Sequence, residues 1–166
     1  MVENEEGFMV PHVDRKKCRE CKKCAKFCPS IHQPSKKYPI ETKLCLSKDE
    51  LVEKSASGGL FITIARYYIE NLNGVVYGAV MNDNFICCHT EATTIKDLAP
   101  MQNSKYVQSI VGDCYAKVKE RLEEGRHVLF TGTPCQIAAL KAFLKKDYNS
   151  LLTMDVVCHG VPNQMF

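Results

Sequence analysis

The clearest pattern of hydrophobic and polar positions lies in the last third of the chain. The run 127-HVLFT-131 predicts a buried strand, residues 135–146 predict a helix with Pro134 in its first turn, and 151-LLTMDVV-157 predicts a second strand. A strand, a helix and a strand in this order form a βαβ unit, which implies a parallel pair and a right-handed crossover. We therefore expect the carboxyl ends of both strands to lie at one edge of a sheet.

The middle of the chain adds one longer helix and two strands. Residues 55–74 predict the helix, since apolar side chains recur there at helical spacing and Gly74 follows the last of them. The spaced residues are Phe61, Ile64, Ala65, Tyr68, Ile69 and Leu72. The strands are predicted over 74–83 and 85–92, with turn residues between them. These elements make the fold class α/β (α+β), a mixed sheet with helices that contains the βαβ unit.

Three shorter helical stretches complete the pattern. One begins at Ser47 as the cap, with Glu50 three residues later. Residues 94–101 predict a helical turn, and 113–124 predict an amphipathic helix with Asp113 near its cap.

Residues 1–45 lack such a pattern and contain a different signal. Cys18, Cys21, Cys24 and Cys28 form a C-x2-C-x2-C-x3-C run followed by Pro29, which turns the chain away, and residues 30–43 read as a linker. This is the spacing of bacterial ferredoxins, in which the fourth cysteine binds the other of two clusters. Zinc sites more often show two separated cysteine pairs, so the run predicts a 4Fe–4S cluster.

The composition of the chain indicates where in the cell the protein works and which kinds of partner it has. The N-terminus lacks the basic and apolar regions of a signal peptide, and no apolar run approaches the length of a membrane span. We therefore predict a cytoplasmic protein without a membrane span. Four of its ten cysteines crowd within residues 18–28, and clustered thiols in such a protein indicate metal before disulfides. The net charge of +3 is too small to indicate nucleic acid. The basic residues around the cysteine run are either a solvated face or a surface that steers an acidic electron-transfer partner.

Two cysteines belong to the predicted βαβ unit. Cys135 follows 131-TGTP-134 at the start of a helix, where the helix dipole lowers the pKa of a thiol. It is a metal ligand, a redox partner or a nucleophile, or else a small core residue. Cys158 follows the second strand, so we expect it to approach Cys135 at the shared edge. Cys87, Cys88 and Cys114, together with His89, are interpreted as structural.

Two further stretches are candidate ligand contacts. In 55-SASGG-59 at a helix start, free N–H groups suit a phosphate or pyrophosphate, although capping by Ser55 or Ser57 is the alternative. In 104-SKYVQS-109, Lys105 could contact a phosphate and Tyr106 could stack on a flat ring, although an ordinary surface loop is the alternative.

Over residues 46–166 the chain resembles the beta-subunit family of coenzyme F(420) hydrogenases and dehydrogenases, which are iron–sulfur flavoproteins. The motifs that carry the resemblance are SASGGLF at 55–61, VVYGA at 75–79, SKYVQS at 104–109, LFTGTPCQ at 129–136 and DVVCHGVP at 155–162. Before them, residues 4–29 resemble the second half of a two-cluster ferredoxin segment. The resemblance implies three parts: a partial ferredoxin-like segment and linker over 1–45, a flavin-binding part over 46–125, and the start of a C-terminal domain over 126–166.

The resemblance also implies cofactors and their ligands. A non-covalent FAD would contact Ser57, Gly58, Gly59, Lys105, Tyr106 and Thr133. A 4Fe–4S cluster beside it would take Cys135 and Cys158 as two of its ligands, with the other two from a later part of a longer chain. Cys18, Cys21 and Cys24 would hold a second cluster, with Cys28 pointing to a cluster in the missing first half or recruited as a fourth ligand.

The function that follows is electron transfer between 4Fe–4S clusters and FAD, with hydride exchange to a carrier or substrate and a ferredoxin or hydrogenase/dehydrogenase subunit as redox partner. Catalytic residues are not identified, and we expect the isolated stretch to be inactive alone. The alternatives are a flavin-free electron carrier of the ferredoxin type and a zinc-stapled interaction module.

Overall fold

The computed structural model describes residues 1–26, 28, 31 and 38–163. Its strands and helices, in chain order, are β1 Val2–Glu3, β2 Met9–Val10, α1 Lys23–Lys26, α2 Asp49–Val52, α3 Leu60–Leu72, β3 Val75–Met81, β4 Cys87–Ala92, α4 Ile95–Leu98, a 3-10 turn Ala99–Met101, α5 Cys114–Glu123, β5 Val128–Gly132, α6 Pro134–Leu144 and β6 Leu151–Asp155. The predicted turn at Pro29 and residues 30 and 32–37 of the predicted linker lie outside the described residues.

A four-stranded mixed sheet in the order β4-β3-β5-β6 forms the centre of the molecule. Strands β3 and β4 pair as an antiparallel hairpin, whereas β3 with β5 and β5 with β6 are parallel. In the last pair Val128 lies opposite Leu151 and Gly132 opposite Asp155. The mixed α/β fold class and the parallel βαβ unit are therefore confirmed.

Helices cover both faces of this sheet, because alternate strand residues point to opposite sides. On one face Tyr77 and Phe130 pack with α5 and α6 in an apolar cluster that includes Val118 and Leu140. On the other face Val76 and Leu129 pack with the side chains of α3, α4 and the 3-10 turn. The sheet is thus the middle of three layers, and its two central strands, β3 and β5, are the most buried.

Two predicted helix starts were wrong. Helix α3 begins at Leu60 rather than near residue 55, and its cap is Gly59, with φ of 75° and no side-chain cap. Capping by a serine is therefore wrong, and the hydroxyl of Ser55 instead donates to the carbonyl of Leu51 at 2.7 Å. Helix α2 begins at Asp49, and Lys48 precedes it without a side-chain cap, so the cap predicted at Ser47 is wrong as well.

The remaining elements lie close to their predicted positions. Helix α5 follows Asp113, and α6 has its proline in the first turn. Strand β6 ends two residues before predicted residue 157, although the N–H of Val156 still donates to the carbonyl of Gly132 at 3.1 Å. None of the helices that the structure describes is long and apolar enough to cross a membrane.

Candidate functional site

A cavity of about 830 Å³ opens at the edge of the sheet where the parallel strands end. Its wall includes Thr131 and Gly132 at the end of β5, and Met154 and Val156 at the end of β6. The other walls come from the segments before and within α3, from residues 101–105 and 107–112, and from the first turn of α6. Ligands of α/β proteins commonly bind outside the carboxyl ends of parallel strands, and the volume lies within the usual range for small-molecule sites.

Five of the candidate site residues meet in this cavity although they are far apart in the chain. They are Ser57, Gly59, Lys105, Thr133 and Cys135. Tyr106 is instead 79% exposed and is not one of the residues that line the cavity. Gly58 supports the wall from behind, because a Cβ atom there would lie 2.7 Å from the carbonyl oxygen of Cys45. That close approach of two backbones requires glycine.

The two helix starts at the cavity differ in their capping. The first turn of α6 is closed by a capping box, in which the side chain of Thr133 accepts from the helix backbone and Gln136 Oε1 accepts from the Thr133 N–H at 3.0 Å. The first turn of α3 has no side-chain cap at Gly59. Its leading N–H groups remain available to an acceptor, and the positive end of the helix dipole favours an anion there.

Lys105 has all three ammonium donors engaged. Its Nζ donates to the carbonyl oxygens of Pro100, Gln102 and Asn103 at 2.7, 2.6 and 3.1 Å. An ammonium group has three N–H donors, so this geometry uses the whole side chain to hold the loop after the 3-10 turn. Burial lowers the pKa of Lys105 below its ordinary value.

Cys135 and Cys158 lie after the ends of neighbouring parallel strands. Cys135 is exposed in the first turn of α6, and its Sγ lies 3.1 Å from the Thr133 Oγ1. Cys158 is half-buried three residues beyond β6, and its Sγ lies 3.8 Å from the carbonyl oxygen of Gly160. Among the residues that the structure describes, no three Cys, His, Asp or Glu side chains come together as a metal site.

The first three cysteines of the N-terminal run lie on an exposed segment, called the cysteine loop below, which has an unusual backbone and ends in the short helix α1. Glu20 and Lys22 have φ of 53° and 54°, the left-handed region that non-glycine residues seldom adopt. The N–H of Glu20 donates to the Sγ of Cys18 at 3.4 Å. Cys18, Cys21 and Cys24 are all exposed, so their thiols are open to a ligand.

One residue at the cavity was not identified from the sequence. His89 on β4 is 6% exposed, and its ring stacks on Phe130 at a centroid distance of 5.3 Å. Its Nδ1 lies 2.7 Å from Ser109 Oγ, and its Nε2 lies 3.0 Å from the Thr131 carbonyl oxygen. Burial lowers the pKa of His89. The signal was present in the strand alternation, since Cys87, His89 and Glu91 share one face.

The neighbouring cysteines behave as structural residues. Cys87 and Cys114 are buried, and the Cys114 thiol donates to the His89 carbonyl oxygen at 3.3 Å. Burial raises the pKa of the Cys114 thiol to about 11 and also raises that of Cys87. Both thiols are therefore protonated near neutral pH and are poor nucleophiles.

Residues 125–166 match the family model that describes the C-terminal part of the coenzyme F(420) hydrogenase/dehydrogenase beta subunit. The family predicted from the motifs is thereby confirmed for this part of the chain. A chain of the F(420)-reducing NiFe hydrogenase complex from Methanosarcina barkeri is similar at 22% identity and a TM-score of 0.46; the match covers 57% of this chain and 33% of that one. The chain thus spans about a third of that protein's length. No curated protein matches the chain.

Proposed function

We propose that this chain, whose residues 125–166 belong to the coenzyme F(420) hydrogenase/dehydrogenase beta-subunit family, is part of an iron–sulfur flavoprotein oxidoreductase. It would exchange electrons between 4Fe–4S clusters and a bound FAD, and a hydride with a carrier or substrate. The observation that carries this proposal is the cavity of about 830 Å³ on which all five of the separate family motifs converge.

The cavity suits FAD in its size and in the placement of its polar groups. The uncapped first turn of α3, with Ser57 and Gly59 at the wall, offers N–H donors to the pyrophosphate. The capped start of α6 has already used such donors, so the pyrophosphate is assigned to α3. When bound, FAD supplies two-electron exchange with a hydride donor or acceptor and one-electron exchange with iron–sulfur centres.

The other candidate contacts shape the site around the ring. Apolar side chains such as Ile62, Met101 and Ile110 line the cavity and exclude water from a flat ring. Thr133 contributes at the start of α6. Lys105 holds the loop of the 3-10 turn in place through its three carbonyl contacts. Gly58 supports the wall, and Tyr106 covers the exposed margin.

The thiols are the proposed cluster ligands. The two left-handed residues in the run turn the backbone between Cys18, Cys21 and Cys24. An N–H···S hydrogen bond such as that from Glu20 to Cys18 is one of the interactions by which a protein tunes the potential of a cluster. Cys28, Cys135 and Cys158 are also proposed as cluster ligands. Their sites would need further ligands from other parts of a longer chain.

An acidic redox protein is the proposed partner of the N-terminal loop. The stretch 15–26 contains seven Lys or Arg and one Glu, a net charge of +6, whereas the whole chain carries +3, so the remainder carries −3. The seven basic residues are exposed. Lys17 forms an ion pair with Asp14 at 3.8 Å, and it is the sole ion pair of this stretch among the described residues. Such a field steers an oppositely charged partner to the thiols.

Anaerobic reconstitution with iron, sulfide and FAD, followed by gel filtration and an absorption spectrum, tests the proposal. We expect flavin bands together with a broad iron–sulfur band. Iron without retained flavin would support the flavin-free electron carrier instead. A colourless protein with stoichiometric zinc would contradict both redox functions and support the zinc-stapled module.

A further inference from the structure

His89 is held in a single orientation at the inner wall of the cavity. Its two ring nitrogens face different partners, Ser109 Oγ at 2.7 Å and the Thr131 carbonyl oxygen at 3.0 Å. Its ring plane is fixed by the stack on Phe130, which is inclined by only 10°. Three independent contacts thus leave the imidazole no freedom to rotate.

These contacts determine which nitrogen carries the proton. A carbonyl oxygen only accepts, so Nε2 opposite Thr131 must be the N–H donor. The buried imidazole is neutral near pH 7, because its pKa is lowered by desolvation, and a neutral ring has one N–H. Nδ1 is therefore an acceptor, and the hydroxyl of Ser109 donates its hydrogen to His89.

The loop that carries Ser109 is tied down on both sides. The N–H of Ile110 donates to the Cys87 carbonyl at 3.0 Å, and the N–H of His89 donates to the Ile110 carbonyl at 2.9 Å. The N–H of Gln108 donates to the carbonyl of Pro162 at 2.9 Å. Ser109 is therefore fixed in position by its backbone and in hydroxyl orientation by His89.

Because the Ser109 hydroxyl donates its hydrogen to His89 Nδ1, it can act only as a hydrogen-bond acceptor towards its other neighbours. Cys87 also hydrogen-bonds the side chain of Ser109, and burial raises the pKa of its thiol. Even with its single S–H pointed at Ser109 Oγ, this thiol would occupy only one of the two lone pairs. Ser109 lines the cavity between apolar residues such as Val107 and Ile110. At least one lone pair of this cavity-lining hydroxyl thus remains available to a ligand donor.

We propose that Ser109, oriented by His89, is a specificity-determining acceptor for an N–H group of the bound ligand. This inference rests on the proposed function, in which the N–H is the imide N3–H of the flavin ring. His89 is the positioning residue, since it touches the ligand only through Ser109. A ring that lacks this N–H would leave the acceptor unpaired in the cavity, which weakens binding.

The test compares FAD with its 3-methyl derivative on the complete chain, by fluorescence titration, and records the NMR signal of ¹⁵N3-labelled FAD. We expect the unaltered protein to prefer FAD by about tenfold, the typical worth of one hydrogen bond. Ser109→Ala should reduce that ratio towards one and move the ¹⁵N3 resonance. His89→Gln, which keeps a donor towards Thr131 but lacks the ring nitrogen that receives the Ser109 hydrogen, should do the same in a folded protein.

The controls separate this inference from the proposed function. Ser150→Ala, at the opposite end of the sheet, should leave both readouts unchanged. If Ser109→Ala does not fold, Ser109→Cys keeps the size and should give an intermediate ratio. Flavin binding with an unchanged ratio and ¹⁵N3 signal in the Ser109 variants would overturn this inference alone. Failure of the unaltered protein to bind FAD would overturn the proposed function, and this inference with it.

Discussion

The cysteine loop and the sheet region of this protein hold their shape in different ways. Every buried residue that the structure describes lies between Gly59 and Leu144, around the four-stranded sheet. In the described part of residues 1–45 no side chain is buried, yet Glu20 and Lys22 adopt the left-handed backbone region. Strained conformations persist only where their surroundings determine them. Packing does this for the sheet region, and we infer that a metal cluster does it for the loop.

The contrast explains why the same residue type has opposite properties in the two regions. Cys87 and Cys114 are buried, and burial raises their pKa, so they act as small apolar residues. Cys18, Cys21 and Cys24 are exposed, and nothing in the described structure covers them. Burial therefore identifies Cys87 and Cys114 as structural residues, whereas spacing is still needed to separate the candidate ligands from an exposed cysteine such as Cys45.

The largest expected effect is the loss of the N-terminal cluster on removing one ligand. Cys21→Ser should abolish iron binding by the loop, because a hydroxyl is a poor ligand for a cluster built on thiolates. Iron and acid-labile sulfide per chain measure this after anaerobic reconstitution. Cys45→Ser is the matched control, since Cys45 is equally exposed but outside the run. Unchanged iron in Cys21→Ser would contradict the ligand assignment.

The next largest effect is a loss of stability in the sheet region, which should leave iron binding by the cysteine loop unchanged. Leu140 on α6 is fully buried, so Leu140→Ala should destabilise the protein by about 2–5 kcal/mol in urea unfolding. Leu152 on the edge strand is 39% exposed, and Leu152→Ala should cost much less. Similar losses for both variants would show that α6 is not packed as described.

Low pH should lower the free energy of unfolding, because His89 is buried in the neutral form in the sheet region. The folded protein holds this imidazole neutral, since burial lowers its pKa below the ordinary value of about 6.5. The unfolded chain binds the proton more readily, so the free energy of unfolding should fall as the pH drops below about 6.5. His89→Gln should remove this part of the pH dependence in urea titrations at several pH values. His12→Gln, at an exposed position, is the control; an identical pH slope in all three proteins would refute the role of His89.

The smallest effect tests the partner of the loop. Lys23→Glu should slow electron exchange with an acidic redox protein and weaken its dependence on salt, because surface charges act mainly on the rate of encounter. Lys54→Glu makes the same change of charge at an exposed position in the sheet region. Stopped-flow rates over a salt series would measure both. An equal slowing by the two variants would indicate net charge rather than a docking surface.

Much of the sheet region was accessible from the sequence because its pattern and its packing agree. The parallel strands around α6 and the hairpin of β3 and β4 follow directly from apolar periodicity and turn residues. Helix starts were harder, since Ser47 and Ser55 look like caps but use their polar groups elsewhere. Local preference at a helix start competes with tertiary contacts, and here the contacts decided the outcome.

The candidate site was only partly accessible for a different reason. Ser57 was proposed as a ligand contact because it stands at the predicted start of a helix, and Thr133 because its motif carries the family resemblance. His89 was missed because its partners, Ser109 and Thr131, are 20 and 42 residues away in sequence. Likewise, the sequence pattern does not predict that Lys105 donates to three carbonyl oxygens, because these contacts depend on the geometry of the loop.

Amide hydrogen exchange before and after anaerobic reconstitution with iron and sulfide tests the central contrast most directly. We expect protection of residues 14–26 to rise strongly on reconstitution, Cys21→Ser to abolish this gain, and β3 and β5 to be protected equally in both states. Protection of the loop without iron, or unchanged exchange of the loop while iron is bound, would show that a cluster does not hold its shape.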